Sequence, residues 1–131
     1  MSADVRWKQR FSNFEKAMGL LGSGLAQPRL SKLEKEGVIQ RFEYTFELAW
    51  KTLQDHLRHG GIESGLPRDV IKQAFAGGLI KDGQTWIEML ESRNLMSHTY
   101  DEASFEKAFE RIREQYFTAL KQVFELLRSK V

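Results

Sequence analysis

The sequence predicts an all-α protein, an antiparallel up-and-down four-helix bundle with one additional short helix. Two observations favour this fold. The chain of 131 residues contains only two prolines, Pro28 and Pro67, and its long proline-free stretches carry apolar residues at the helical period of about 3.6. The length suits a single domain over residues 1–131, and short connections make neighbouring long helices antiparallel.

Two long helices are predicted in the first half of the chain. The first covers about residues 4–25, where apolar side chains alternate steps of four and three to form one stripe: Trp7, Phe11, Phe14, Met18, Leu21 and Leu25. The second runs from near Ser31 to Arg58 and ends at Gly60–Gly61, since glycine readily adopts the conformation of a helix C-terminus. Its buried face comprises Ile39, Phe42, Phe46, Ala49, Trp50, Leu53 and Leu57.

Three further helices are predicted in the second half. Pro67 suits the first turn of a short third helix, which Gly77–Gly78 closes. Asp82 caps a fourth helix over about residues 83–97, and the fifth covers about residues 101–128. Thr99 and Glu102 match a capping box, which predicts a sharp break between the last two helices. We expect all three tryptophans to pack in the core: Trp7, Trp50 and Trp86.

Composition excludes several classes of function. The 20 Lys and Arg residues nearly balance the 18 Asp and Glu residues, so no strongly basic field favours duplex DNA. Cysteine is absent, which excludes disulfides, thiolate catalysis and zinc–cysteine sites. The sequence contains neither a signal peptide nor an apolar run of about 18 residues. We therefore expect a cytoplasmic protein with no membrane segment.

The densest group of reactive side chains lies over residues 93–100, where the fourth helix should end. Arg93 can grip a phosphate and His98 can exchange a proton near neutral pH, while Asn94 and Ser97 can orient a substrate. Arg93 and His98 are five residues apart, about 140° around a helix. Their convergence therefore requires a frayed helix end or a second copy of the site.

Purely structural roles are the alternative for these residues. Arg93 pairs with acids near Glu91 or on the fifth helix in this interpretation, while His98 caps the fourth helix and Tyr100 packs against its neighbours. Glu43 and Glu47 share a helix face. A solvated face or a helix-pair contact is the favoured interpretation over a catalytic acid pair.

No metal site or cofactor is expected. His56 and His59 are three residues apart near the end of the second helix, but no third ligand is evident. Favourable placement of imidazoles at a helix C-terminus is the simpler interpretation. Asp82-Gly83-Gln84 is interpreted as a turn and cap, since the oxygen ligands of a calcium loop are missing.

Three blocks carry a family resemblance that covers nearly the whole chain: residues 41–51, 67–75 and 93–100. With them the sequence closely resembles the nucleotidyltransferase substrate-binding protein family, within the HEPN superfamily of helical bundles. The resemblance implies a homodimer that brings two Arg93/His98 sets to a shared groove. It also implies a separate minimal nucleotidyltransferase as partner and an RNA or nucleotide as a possible ligand.

The resemblance further implies a toxin–antitoxin role. In related pairs the HEPN subunit is an RNase toxin, and the nucleotidyltransferase silences it by attaching AMP to the Tyr of an Arg-x4-His-x-Tyr motif. That motif is complete here as Arg93, His98 and Tyr100.

Three functional hypotheses follow from the sequence and the resemblance. The first is a dimeric helper subunit that binds a minimal nucleotidyltransferase and contributes to its nucleotide or substrate site. The second is a metal-independent endoribonuclease silenced by AMPylation. The third is a structural dimer without a catalytic groove.

Overall fold

The computed structural model describes residues 3–93 and 101–131, and these residues form helices joined by short connections, with no strand. The all-α prediction is confirmed over them. The helices are α1 (Ala3–Leu25), α2 (Lys32–His59), α3 (Pro67–Ala76), α4 (Gly83–Ser92), α5 (Glu102–Arg111) and α6 (Phe117–Arg128). A π-helical turn, Ile112–Tyr116, joins α5 to α6 without a break.

Helices α1 and α2 form an antiparallel hairpin. Near the hairpin turn, Nη1 of Arg41 donates to the carbonyl oxygen of Leu20 at 2.6 Å. At the open end, Nε of Arg10 lies 3.1 Å from the buried carboxylate of Asp55. These contacts join both ends of the hairpin, as the predicted antiparallel packing of consecutive long helices requires.

The continuous α5–α6 helix packs against both members of the hairpin. Phe11 of α1 stacks on Phe124 of α6 with ring centroids 5.4 Å apart, and Gly22 lies against the ring of Phe117. Later residues of α1 therefore contact earlier residues of α6, so these two helices are antiparallel. In an up-and-down bundle of four helices the first and last helices are also antiparallel.

The core contains the aromatic residues of the predicted stripes. Trp7, Trp50 and Trp86 are all buried, as expected. The largest side chains with almost no exposure are Trp7, Trp86, Tyr116, Phe14, Phe42, Phe46 and Phe105. Since each buried aromatic removes about 150–250 Å² from water, the burial of these rings dominates the packing energy.

Helix α3 begins and ends, and helix α4 begins, where the sequence predicts. Pro67 occupies the first turn of α3, and Gly77 is its C-cap. Gly78 follows with φ of +80°, a left-handed conformation that favours glycine. The side chain of Asp82 caps α4 by accepting from the backbone N–H of Thr85 at 3.1 Å. Helix α4 ends at Ser92 with Arg93 as its C-cap, five residues before the predicted end at Ser97, and residues 94–97 lie outside the described residues.

The predicted cap of the last long helix is wrong. Asp101, rather than Thr99, is the N-cap of α5. Its carboxylate accepts from both the backbone N–H and the hydroxyl of Ser104, each at 2.8 Å. A short carboxylate satisfies one of the unpaired N–H groups of the first turn and also carries the charge that the helix N-terminus favours.

No helix in the described part of the chain is both long and apolar enough to cross a membrane.

Candidate functional site

Arg93, the first residue of the predicted motif, is the C-cap of α4. Its side chain is 36% exposed, and Nη1 lies 3.5 Å from Oε1 of Glu47 on α2. The ion pair is long and partly hydrated, so it contributes little to stability. It leaves the guanidinium at the surface, where other donors of that group can take an anionic ligand.

Glu47 also holds a second group on α2. Its Oε2 accepts a hydrogen bond from Nε1 of Trp50 at 3.0 Å. Glu47 therefore bridges a core tryptophan and Arg93, and its rotamer is fixed by two donors. The interpretation of Glu47 as a helix-pair contact is confirmed.

The predicted structural partners of Arg93 are wrong. The recorded partner of Arg93 is Glu47, whereas Glu91 lies 3.8 Å from Arg68 of α3. The reason is helical geometry: residues 91 and 93 project about 200° apart around α4, toward different neighbours. Sequence spacing alone did not identify which helix would face Arg93.

The other predicted site residues lie outside the described residues: Asn94, Ser97, His98 and Tyr100. The convergence of Arg93 and His98 therefore stays a prediction.

The π-helical turn braces the end of α4 that carries Arg93. Tyr116 closes this turn, and its hydroxyl lies 3.3 Å from that of Ser92. An ion pair between Arg111 and Glu88 adds a second link between the two helices. Burial raises the pKa of Tyr116, so its hydroxyl stays protonated and able to donate. Single π turns of this kind are frequent at functional sites.

The two histidines of α2 have structural environments. The ring of His56 packs edge-on against Trp7 with centroids 4.7 Å apart, and burial lowers its pKa. Nε2 of His59 lies 3.6 Å from the carboxylate of Asp4. Over residues 3–93 and 101–131, no group of three or more His, Asp or Glu side chains is arranged to hold a metal ion.

A cleft of about 460 Å³ between α3 and α4 was missed by the sequence interpretation. Three cationic side chains line it: Arg68, Lys72 and Lys81. The available signal was the spacing of Arg68 and Lys72, four residues apart on one face of α3.

The protein is thus a helical bundle in which the guanidinium of Arg93 lies at the C-terminal end of the short helix α4, beside Glu47 of the long helix α2. Comparison with known proteins identifies the family. The model described as "nucleotidyltransferase substrate binding protein like" matches residues 9–129. The chain belongs to this family, which is associated with a nucleotidyltransferase partner.

Two solved structures share the fold. A protein of Thermus thermophilus is 37% identical, with a TM-score of 0.81, and the match covers 88% of this chain and 98% of that one. A Haemophilus influenzae protein, described as having the fold of a substrate binding domain of a nucleotidyltransferase, is 25% identical. Its TM-score is 0.68, and the match covers 97% of this chain and 99% of that one.

A curated relative carries a different activity in its name. The probable ribonuclease HepT of Haemophilus influenzae is 35% identical over 72 residues, which make up 50% of this chain and 49% of that protein. The matched segment thus spans about half the length of this relative.

Proposed function

We propose that this chain is the substrate-binding subunit of a two-protein nucleotidyltransferase system. The family match over residues 9–129 carries the proposal. In this function a dimer of the chain binds a minimal nucleotidyltransferase and contributes side chains to its nucleotide or substrate site. Arg93 supplies a cation for phosphate, and Asn94 and Ser97 orient the bound group.

The environment of Arg93 supports a role in binding. Its 3.5 Å contact with Glu47 is long for a charge-assisted hydrogen bond, for which about 2.7–2.9 Å is typical. Other N–H groups of the guanidinium can therefore donate to a phosphate oxygen while this contact with Glu47 persists. Because Trp50 also holds Glu47, the acid stays in place and keeps the guanidinium oriented when a ligand binds.

Co-purification with the cognate nucleotidyltransferase tests this function. Tagged wild-type chain, co-expressed with the untagged nucleotidyltransferase, is expected to retain it through affinity and size-exclusion steps. Arg93→Ala serves as a matched variant, since it removes the ligand cation from an exposed position without disturbing the core. We expect this variant to keep the partner and lose nucleotide or substrate affinity. Failure of two folded proteins to associate would overturn the proposal.

The second candidate function is metal-independent RNA cleavage, which the similarity to the probable ribonuclease HepT favours. The 2′-hydroxyl oxygen would attack the adjacent phosphorus, and the bond from phosphorus to the 5′ oxygen would break. The products would be a 2′,3′-cyclic phosphate and a 5′-hydroxyl end. His98 would transfer a proton in this reaction, and Arg93 would stabilise negative charge on the phosphorane-like transition state.

Cleavage of RNA in the presence of EDTA tests this second function. Wild-type chain is expected to cut, whereas His98→Ala and Arg93→Ala are expected to be inactive. Equal inactivity of all three proteins would exclude the enzyme.

Modification of Tyr100 would connect the two candidate functions. The partner would transfer AMP from ATP to the hydroxyl of Tyr100 and release pyrophosphate. The attached phosphate would then compete with RNA for Arg93. Intact mass after co-expression would show a gain of AMP, and Tyr100→Phe would remove that gain.

A further inference from the structure

The cleft between α3 and α4 carries positive charge that few neighbouring acids neutralise. No ion pair is recorded for Lys72 or Lys81 within the described part of the chain, and both are exposed. Arg68 is held only loosely, with 3.8 Å to an exposed Glu91. Three cations lining one concavity raise the local concentration of anions.

The acid that lines this cleft is already engaged. Oδ1 of Asp82 accepts from the backbone N–H of Thr85 at 3.1 Å, and Oδ2 accepts from its hydroxyl at 2.6 Å. These hydrogen bonds lower the pKa of Asp82, and the carboxylate serves the N-terminus of α4. Its negative charge still lines the cleft, but no ion pair joins it to Lys72 or Lys81 within the described residues, so the three cations outnumber this one acid.

A second basic cleft provides an internal comparison. It has a volume of about 320 Å³ and is lined by Arg29, Lys35 and Arg113. There, Lys35 pairs with Glu106 at 3.0 Å and Arg113 with Glu110 at 2.6 Å. Two of the three cations of this second cleft are thus paired with neighbouring acids, whereas the two lysines of the cleft between α3 and α4 have no recorded ion pair within the described residues.

An exposed aromatic ring also lines the α3–α4 cleft. Phe75 is 54% exposed, although it is a large apolar residue. One edge of its ring rests against Gly83, where an added Cβ would lie only 3.0 Å from Cδ1. The contact with the Gly83 backbone holds this edge of the Phe75 ring, while much of the ring stays exposed to solvent. An open aromatic surface next to cations suits a planar base attached to phosphates.

We propose that the α3–α4 cleft binds a nucleoside triphosphate, with the base against Phe75 and the phosphates near Lys72, Lys81 and Arg68. The volume of about 460 Å³ lies within the common range for small-molecule sites, about 300–1,000 Å³. A nucleoside triphosphate is also what a nucleotidyltransferase consumes. Glu91 pairs with Arg68 of the cleft, and Glu91 and Arg93 project about 200° apart on α4. The cleft is therefore a different site from the one proposed around Arg93.

Calorimetric titration of the purified chain with ATP tests the proposal, with adenosine and inorganic tripolyphosphate as separate probes. ATP is expected to bind at least about tenfold more tightly than either fragment, since only ATP engages both the ring and the cations. Lys72→Ala with Lys81→Ala is expected to weaken ATP and tripolyphosphate by at least about tenfold. Phe75→Leu, which keeps an apolar contact with Gly83, is expected to weaken ATP and adenosine and to leave tripolyphosphate binding unchanged.

Matched variants exclude general effects of charge and stability. Lys16 and Lys121 are exposed lysines on α1 and α6, so Lys16→Ala with Lys121→Ala removes the same charge away from the cleft. This variant is expected to bind ATP as the wild type does. Thermal melting will verify that each variant is folded.

Three results would overturn the proposal. Absence of saturable ATP binding at millimolar concentration is the first, and unchanged binding by the lysine or phenylalanine variants is the second. Loss of ATP binding in Arg93→Ala with retention in the lysine variant is the third, because it would locate the nucleotide at Arg93. Partner association is measured separately, so failure of either proposal is distinguishable.

Discussion

Replacement of Glu47 should loosen the end of α4 through two separate contacts. Glu47→Ala removes the pair with Arg93 and leaves Nε1 of the largely buried Trp50 without its recorded acceptor. Pairs between exposed charges contribute about 0.2–1 kcal/mol. The hydrogen bond from Trp50 to a carboxylate would add about 1.5–3 kcal/mol if fully buried, but Glu47 is 38% exposed. We therefore expect a total loss of about 1–2 kcal/mol.

Glu47→Gln separates the two contributions. The amide oxygen still accepts from Trp50, while the charge facing Arg93 is lost. We expect this variant to lose about 0.5 kcal/mol. Urea denaturation followed by circular dichroism measures both losses from the transition midpoints, provided that the slope of free energy against urea is unchanged.

A double-mutant cycle with Arg93→Ala measures the coupling of the pair. The expected coupling between positions 47 and 93 is about 0.2–1 kcal/mol. Glu15→Ala is the control, since Glu15 is exposed on α1 and its loss should change stability by less than about 0.5 kcal/mol. Zero coupling, or a Glu47→Ala variant as stable as the control, would refute the bridging role of Glu47.

Three further predictions concern the fold. Because burial lowers the pKa of His56, the unfolded chain binds its proton first, and stability should fall as pH decreases below about 6.5. His56→Gln should flatten this decline in pH-dependent denaturation, whereas His59→Gln should retain most of it, since burial is the largest cause of the lowered pKa of His56 and the charge of His59 is a smaller one. Asp101→Ala should cost about 0.5–2 kcal/mol through loss of the α5 cap, and Asp101→Asn should recover most of it in the same urea assay. Trp86→Ala should lower the free energy of unfolding by about 3–5 kcal/mol through lost core packing. The control Leu33→Ala should lower it by less than about 0.5 kcal/mol, since Leu33 is 78% exposed. Similar unfolding midpoints for these two variants would contradict the core assignment.

Helical periodicity was sufficient to predict most of the fold. The stripe from Trp7 to Leu25 follows α1 because one face of a helix must bury its apolar side chains. Turn chemistry was equally informative at Gly77 and Asp82, where backbone conformation and unpaired N–H groups restrict the residue type. These features depend on interactions a few residues apart, so the sequence determines them locally.

Contacts between distant helices were not predictable in the same way. Periodicity places Glu47 and Arg93 on helix surfaces, but their pairing depends on how α2 and α4 cross. Thr99 and Asp101 both begin plausible capping patterns, and local hydrogen bonds to Ser104 favour Asp101.

The π-helical turn left only a weak trace in the sequence. Two consecutive apolar steps of four, from Ile112 to Tyr116 and from Tyr116 to Leu120, span the turn, but an ordinary helix of about 3.6 residues per turn also contains such pairs. The π-helical turn keeps Ile112, Tyr116 and Leu120 buried in the core.

Native mass spectrometry of the chain co-expressed with its cognate nucleotidyltransferase shows directly whether the two proteins assemble. We expect a complex that contains two copies of this chain together with the nucleotidyltransferase. Separate monomers of two folded proteins, at every concentration sampled, would contradict this expectation.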